Sequence, residues 1–237
     1  NQMGFVQLNL GLALHRRGQY DEAMDALVQA WDIYEMLLDS ANRYDYAACY
    51  SNACVYRAMV LRRLHKLDEA SKYLDLAREF TLKQVNVEKR EDFRGDLAKI
   101  LMQLAEISLL HNKHSESLEM MAEAETIIEQ VAVQEDDKRH MYNLRVIAFK
   151  HAAIMYAVGD KKKAMEHGAD TLVMWMQEAR QKGWDSEKTL NEMELAVDEL
   201  VSDLEYFDRP VIALGIKRLV HTMGKKIQVE SPEVRNV

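Results

Sequence analysis

Gly18-Gln19-Tyr20-Asp21-Glu22-Ala23 and His65-Lys66-Leu67-Asp68-Glu69-Ala70 are one turn written twice, 47 residues apart. The same interval leads to Asn112-Lys113-His114-Ser115-Glu116-Ser117 and then to Gly159-Asp160-Lys161-Lys162-Lys163-Ala164. Twelve residues before the last residue of each copy stands a small one: Gly11, Ala58, Ala105 and Ala152. Seven residues after it stand Ala30, Ala77, Ala124 and Thr171. One period held over four copies marks a chain built by stacking a supersecondary unit.

The composition of each copy indicates what the unit is. A residue that closes one helix before a tight reversal takes the left-handed conformation, which Gly adopts freely and Asn or His tolerate. Gly18, His65, Asn112 and Gly159 fall there. Asp21, Asp68 and Ser115 are then expected to cap the following helix, whose dipole also favours an acid. The small pairs Gly11/Ala23, Ala58/Ala70, Ala105/Ser117 and Ala152/Ala164 let two antiparallel helices approach closely. Each copy therefore reads as a helical hairpin. Another 47 residues lead to Val211, just past Tyr206-Phe207-Asp208-Arg209-Pro210, where a first-turn proline and a capping Asp208 predict a fifth hairpin.

The resulting map has ten helices, at about 2–17, 21–40, 44–64, 68–86, 91–111, 114–133, 137–158, 160–182, 186–206 and 209–224. It makes an all-α protein, an α-solenoid of about five antiparallel helical hairpins (repeats about 1–40, 44–87, 91–133, 137–182 and 186–224). The hairpins are expected to wind into a right-handed superhelix with the first helix of each on the concave side. The stretch 225–237, containing Ser231-Pro232, lacks periodicity and reads as a loose tail. Trp184, between Gly183 and Asp185, reads as a packing plug at an inter-repeat connection.

Composition agrees. With 237 residues and 48% apolar content the chain can bury a core without staples. Two Pro and nine Gly are too few for the turns of a sandwich or barrel. A net charge of −8 disfavours a nucleic-acid binder, and no apolar run is long enough for a membrane span. Cys49 and Cys54, five apart on one helix, are poorly placed to bridge and read as thiols of a reducing, cytoplasmic compartment. The chain opens at Asn1 inside a helical pattern and is expected to be part of something longer.

Leu10-Gly11, Gly18, Tyr20, Ala23, Leu27 and Ala30 follow the pattern of the tetratricopeptide repeat (TPR) superfamily, which the chain resembles from Gln2 to about Thr171 and more loosely to about Met223. It departs in its period of 47 in place of 34, and in Gln7 and Leu14 where the family carries tryptophan and tyrosine. The resemblance implies a concave groove in which the first helix of each hairpin presents side chains to a protein or peptide. In this sequence those positions are Phe5, Leu8, Leu12 and His15, then Asn52, Val55, Met59 and Arg62. The third repeat supplies Lys99, Met102, Glu106 and Leu109, and the fourth Val146, Phe149, Ala153 and Tyr156. Met59, Met102 and Phe149 are expected to form an apolar track, with Arg62 and Glu106 setting the orientation of the partner. The lysine and asparagine clamp of the family's chaperone-tail binders is not repeated here.

Chemistry-bearing patterns are sparse. His111 and His114 stand three apart at a turn and supply at most two ligands, so they read as solvated residues. His15, His140, His151, His167 and His221 are scattered singly and suggest no metal. There is no Gly-rich phosphate loop and no nucleophile elbow. Lys161-Lys162-Lys163, Lys225-Lys226 and Glu135-Asp136-Asp137 read as solvated helix ends, and the 14 methionines mostly as core filler. The expectation is a non-catalytic protein-interaction or scaffold domain without cofactor, holding a helical or extended peptide segment. The alternative is a peptide-sensing regulatory domain whose superhelix controls an output domain elsewhere in the protein.

Overall fold

The computed structural model describes residues 2–41, 46–135, 138–183 and 185–230, and among them every regular element is helical. The helices are α1 (Gln2–Arg16), α2 (Tyr20–Ala41), α3 (Ala47–Arg63), α4 (Leu67–Asn86), α5 (Arg94–Leu110), α6 (His114–Glu135), α7 (Lys138–Val158), α8 (Lys161–Lys182), α9 (Ser186–Tyr206) and α10 (Pro210–Glu230). A 3-10 turn, Glu91–Phe93, leads into α5. None of these helices is long and apolar enough to cross a membrane. Trp184, Asp136, Asp137 and the segment 231–237 lie outside the described residues.

The sequence period is a period of backbone hydrogen bonds. Gly18, His65, Asn112 and Gly159 all have positive φ, at 75°, 60°, 61° and 110°. Each donates its N–H three residues back, to the carbonyls of His15, Arg62, Leu109 and Tyr156. The next residue donates five back, to Leu14, Leu61, Ser108 and Met155. This pair of bonds is the Schellman closure, which satisfies carbonyls left over at a helix end. The fifth hairpin closes the same way: Asp208 (φ 56°) bonds Glu205 and Arg209 bonds Leu204. Its turn therefore sits two residues later than strict periodicity places it.

Capping differs from the expectation. The N-cap of α4 is Lys66, without a side-chain cap bond, and Asp68 falls in the first turn, where its charge faces the positive end of the dipole. Asp160 likewise precedes α8 without a cap bond. A capping carboxylate appears instead at α9, where Asp185 Oδ1 accepts from Lys188 N at 2.7 Å. The Schellman turns leave two or three residues between helices. The N-cap residues Lys66 and Asp160 have ψ of 65° and 60°, away from the extended backbone (ψ 177° at Asp185) from which a side chain caps. At the far end α10 continues to Glu230, past the predicted stop near Met223, because no helix breaker occurs before Ser231-Pro232.

The chain divides into two compact units, Asn1–Ile107 and Ser108–Val237. In the first, α2 packs between α1 and α3, α4 closes on α3, and α1 touches α3. Leu8, Ala23, Leu27, Ala30, Tyr34, Ala53 and Val60 form its core, flanked by Trp31, Tyr46 and Tyr50. Gly11 is required here: a Cβ on it would lie 2.5 Å from Leu27 Cγ. Arg57 ties α2, α3 and α4 together, 4.0 Å over the Tyr73 ring and 5.4 Å from that of Trp31, with Nη2 donating to Tyr73 Oη at 2.6 Å. Cys49 and Cys54 are both free; burial pushes the Cys54 thiol up to about 11, which keeps it protonated and unreactive.

In the second unit α7 is central. It packs against α6, α8, α9 and, more extensively than against α9, α10. A regular stack would offer the first helix of the last hairpin to α7, but here the second helix takes most of that place. Two glycines permit it. A Cβ on Gly215 would meet the Ala157 Cα at 3.1 Å, and one on Gly168 would meet Met223 Cε at 3.2 Å. Trp175 is fully buried on α8, its ring 5.4 Å from the Arg145 guanidinium, which pairs with Glu178.

Candidate partner-binding face

Residues three and four apart on a helix share a face, and the face predicted on α1 and α3 is only partly open. Phe5 is 60% exposed. Leu12, His15, Asn52, Val55 and Met59 are half-buried, and Leu8 is buried in the core. On α5, Lys99 is half-buried while Met102, Glu106 and Leu109 are buried. On α7, in the second unit, Val146 and Tyr156 are half-buried, whereas Phe149 and Ala153 are completely enclosed. Met59 therefore reaches the surface, while Met102 and Phe149 fill space between helices.

Arg62 and Glu106 meet each other. Arg62 Nη1 pairs with Glu106 Oε2 and also donates to Gln103 Oε1 at 3.2 Å. With 3% and 0% of their side chains exposed, the two form a buried rung from α3 to α5. This places the first helices of the second and third repeats side by side within the first unit. Two charges so enclosed are held in register by one another, which suits a positioning device better than a rim that selects ligands.

A second polar cluster escaped sequence reasoning. Glu125 on α6, His151 on α7 and His167 on α8 converge inside the second unit, their ligating atoms all within 4.8 Å of one another. Glu125 Oε2 lies 2.6 Å from His151 Nδ1, and Oε1 lies 2.9 Å from His167 Nε2. Burial opposes ionisation of Glu125, yet the two imidazoles outweigh it and hold the carboxyl down at about 2. The same carboxylate raises His167. One carboxylate and two imidazoles, 26 positions separating the first two, make no local motif; only the packing of three helices assembles them. His111 and His114 are both exposed, one in a turn and one opening α6.

Residues 6–43, the first hairpin, match the tetratricopeptide repeat family. No curated protein matches the sequence. Among solved structures, nearly identical TPR-like repeats from a Podosopora anserina kinesin light chain candidate align 95% of this chain with 96% of theirs, at 17% identity and TM-score 0.53. A point variant of those repeats aligns over the same extents at 15% identity and TM-score 0.54. The Rap conjugation gene regulator of plasmid pLS20, in complex with the Phr* peptide, aligns at 14% identity and TM-score 0.58. This chain is covered to 96% in that match and spans 64% of the regulator's chain. With its period, its repeated turns and these likenesses, the chain has the fold of a TPR-type helical-repeat protein.

Proposed function

We propose that the protein is a non-catalytic interaction module that holds an apolar or amphipathic peptide segment along α1 and α3. The observation that carries this reading is the set Phe5, Leu12, Val55 and Met59, apolar side chains left accessible on α1 and α3, two helices that touch, while Leu8 and Arg62 on the same helix faces are buried. Such a set on rigid helices suits anchors three or four residues apart on a partner helix, or alternate side chains of an extended strand. Asn52 at its margin supplies a polar contact that fixes register. The free thiols suit a reducing compartment, and we place the protein in the cytoplasm.

The Rap regulator's structure contains a bound peptide, which favours peptide recognition on this fold. It also supports the second reading, a sensor in which the peptide biases an output domain. A full-length sequence carrying such a domain would select the sensor; further repeats would select the scaffold.

The test uses peptides selected from a display library on the whole chain. Phe5→Ala and Met59→Ala, both accessible enough to leave the fold intact, should each weaken binding by more than about 1 kcal/mol if they are anchors. Lys72→Ala and Glu119→Ala, on exposed second helices, should change it little. Equal losses in the two sets, or loss only in the second, would place the interface on another face.

A further inference from the structure

We propose that Glu125, His151 and His167 form a binding site for a divalent transition-metal ion, zinc being the best fit. Two imidazole nitrogens and one carboxylate oxygen are a donor set that zinc takes with three protein ligands and an open fourth position. Tetrahedral coordination at about 2.0–2.1 Å sets neighbouring donor atoms roughly 3.3 Å apart. The present separations of 2.6 and 2.9 Å from Glu125, with all three atoms within 4.8 Å, need only small rotamer adjustments to reach that spacing.

The donors stand on three successive helices of one compact unit, so their convergence is built by the fold and not by a mobile loop. The side chains of His151, Glu125 and His167 are 8%, 17% and 27% exposed, a gradient that leaves an approach on the His167 side. His167 Nε2 is itself shielded from solvent and lies 2.9 Å from Glu125 Oε1. Two buried imidazole nitrogens gathered on the two oxygens of one carboxylate are an arrangement that a shared cation can replace. The two rings lie edge to face at 5.2 Å, which keeps both nitrogens turned toward the same carboxylate. Asp170 and Glu129 add negative charge that acts on His167.

A bound ion would pin α6, α7 and α8 to one another, because metal binding to a preformed site stabilises the folded state. One Glu and two His offer harder and borderline donors without thiolate, so zinc, cobalt and nickel fit better than copper(I).

The experiment titrates the untagged, chelator-stripped whole chain with Zn²⁺ by calorimetry and with Co²⁺ by visible absorption. The expected result is one saturable equivalent, the visible bands of four-coordinate Co²⁺, and a melting temperature that rises with zinc. His167→Gln, at the most exposed ligand, should abolish these while retaining the helical circular dichroism of the parent. His111→Ala/His114→Ala should leave them unchanged. Absence of saturable binding, its survival in His167→Gln, or its loss in the His111/His114 double variant would overturn the proposal. Should His167→Gln fail to fold, mapping of diethyl pyrocarbonate modification on the parent decides the matter. Zinc protection of His167 supports the site; protection elsewhere, or none, refutes it.

Discussion

Arg62 and Glu106 occupy equivalent faces of the first helices of successive repeats, and each is almost wholly withdrawn from water. Their expected role is to orient a partner, but in the structure they pair with each other. Removing one partner strands the other charge in the interior. Glu106→Gln should therefore destabilise the protein by about 3–5 kcal/mol in urea or guanidinium melts. Replacing both at once, Arg62→Met with Glu106→Leu, exchanges the pair for apolar contacts and should lose much less than Glu106→Gln alone. A double variant as unstable as the single one would show that Gln103 and the surrounding backbone, more than the ion pair, depend on these groups.

The hairpin is the repeated element, but the last one is used differently. In α9–α10 the turn has slipped by two residues and α10 lies against α7 and α8, with Gly215 at the Ala157 backbone and Gly168 facing Met223 and Leu219. Ridges of one helix enter the grooves of another only as closely as the side chains at the crossing allow. Gly215→Leu should consequently force α10 away from α7 and cost about 1–3 kcal/mol by overpacking. Val211→Leu, at an exposed site of the same helix, should come near to neutral, since leucine is the better helix former. Thermal melts of the two variants compare the outcomes directly; equal stability would mean that α10 does not approach α7 at Gly215.

For the whole molecule, a regular solenoid loses roughly one repeat and one interface when its terminal hairpin is deleted. Here α10 covers parts of two helices, α7 and α8, so deletion of residues 184–237 should do more. The shortened chain is expected to bind a hydrophobic dye and to unfold at distinctly lower urea than the parent, with part of its helix lost before the main transition. A single transition at the parent's midpoint would show that the last hairpin is an independent appendage.

The repeat, its hairpin character and its left-handed turn residues were legible because they depend on neighbours within six positions. A glycine, histidine or asparagine at the end of a helix, followed by an acid and a small residue, closes a turn through its own backbone bonds whatever lies beyond. Buried small residues at Ala23, Ala70 and Ala164 were legible for a similar reason, since close helix approach excludes larger side chains locally. What only the tertiary structure decided is which side chains the long helices leave for a partner. The same periodic stripe runs through Met59, Met102 and Phe149, but periodicity reports a face and not what is packed against it; Met59 reaches solvent and Phe149 does not. Likewise His151 and His167 read as scattered singles, because the carboxylate that joins them lies on another helix. Convergence across three helices is a property of distance in space, to which spacing along the chain gives no access.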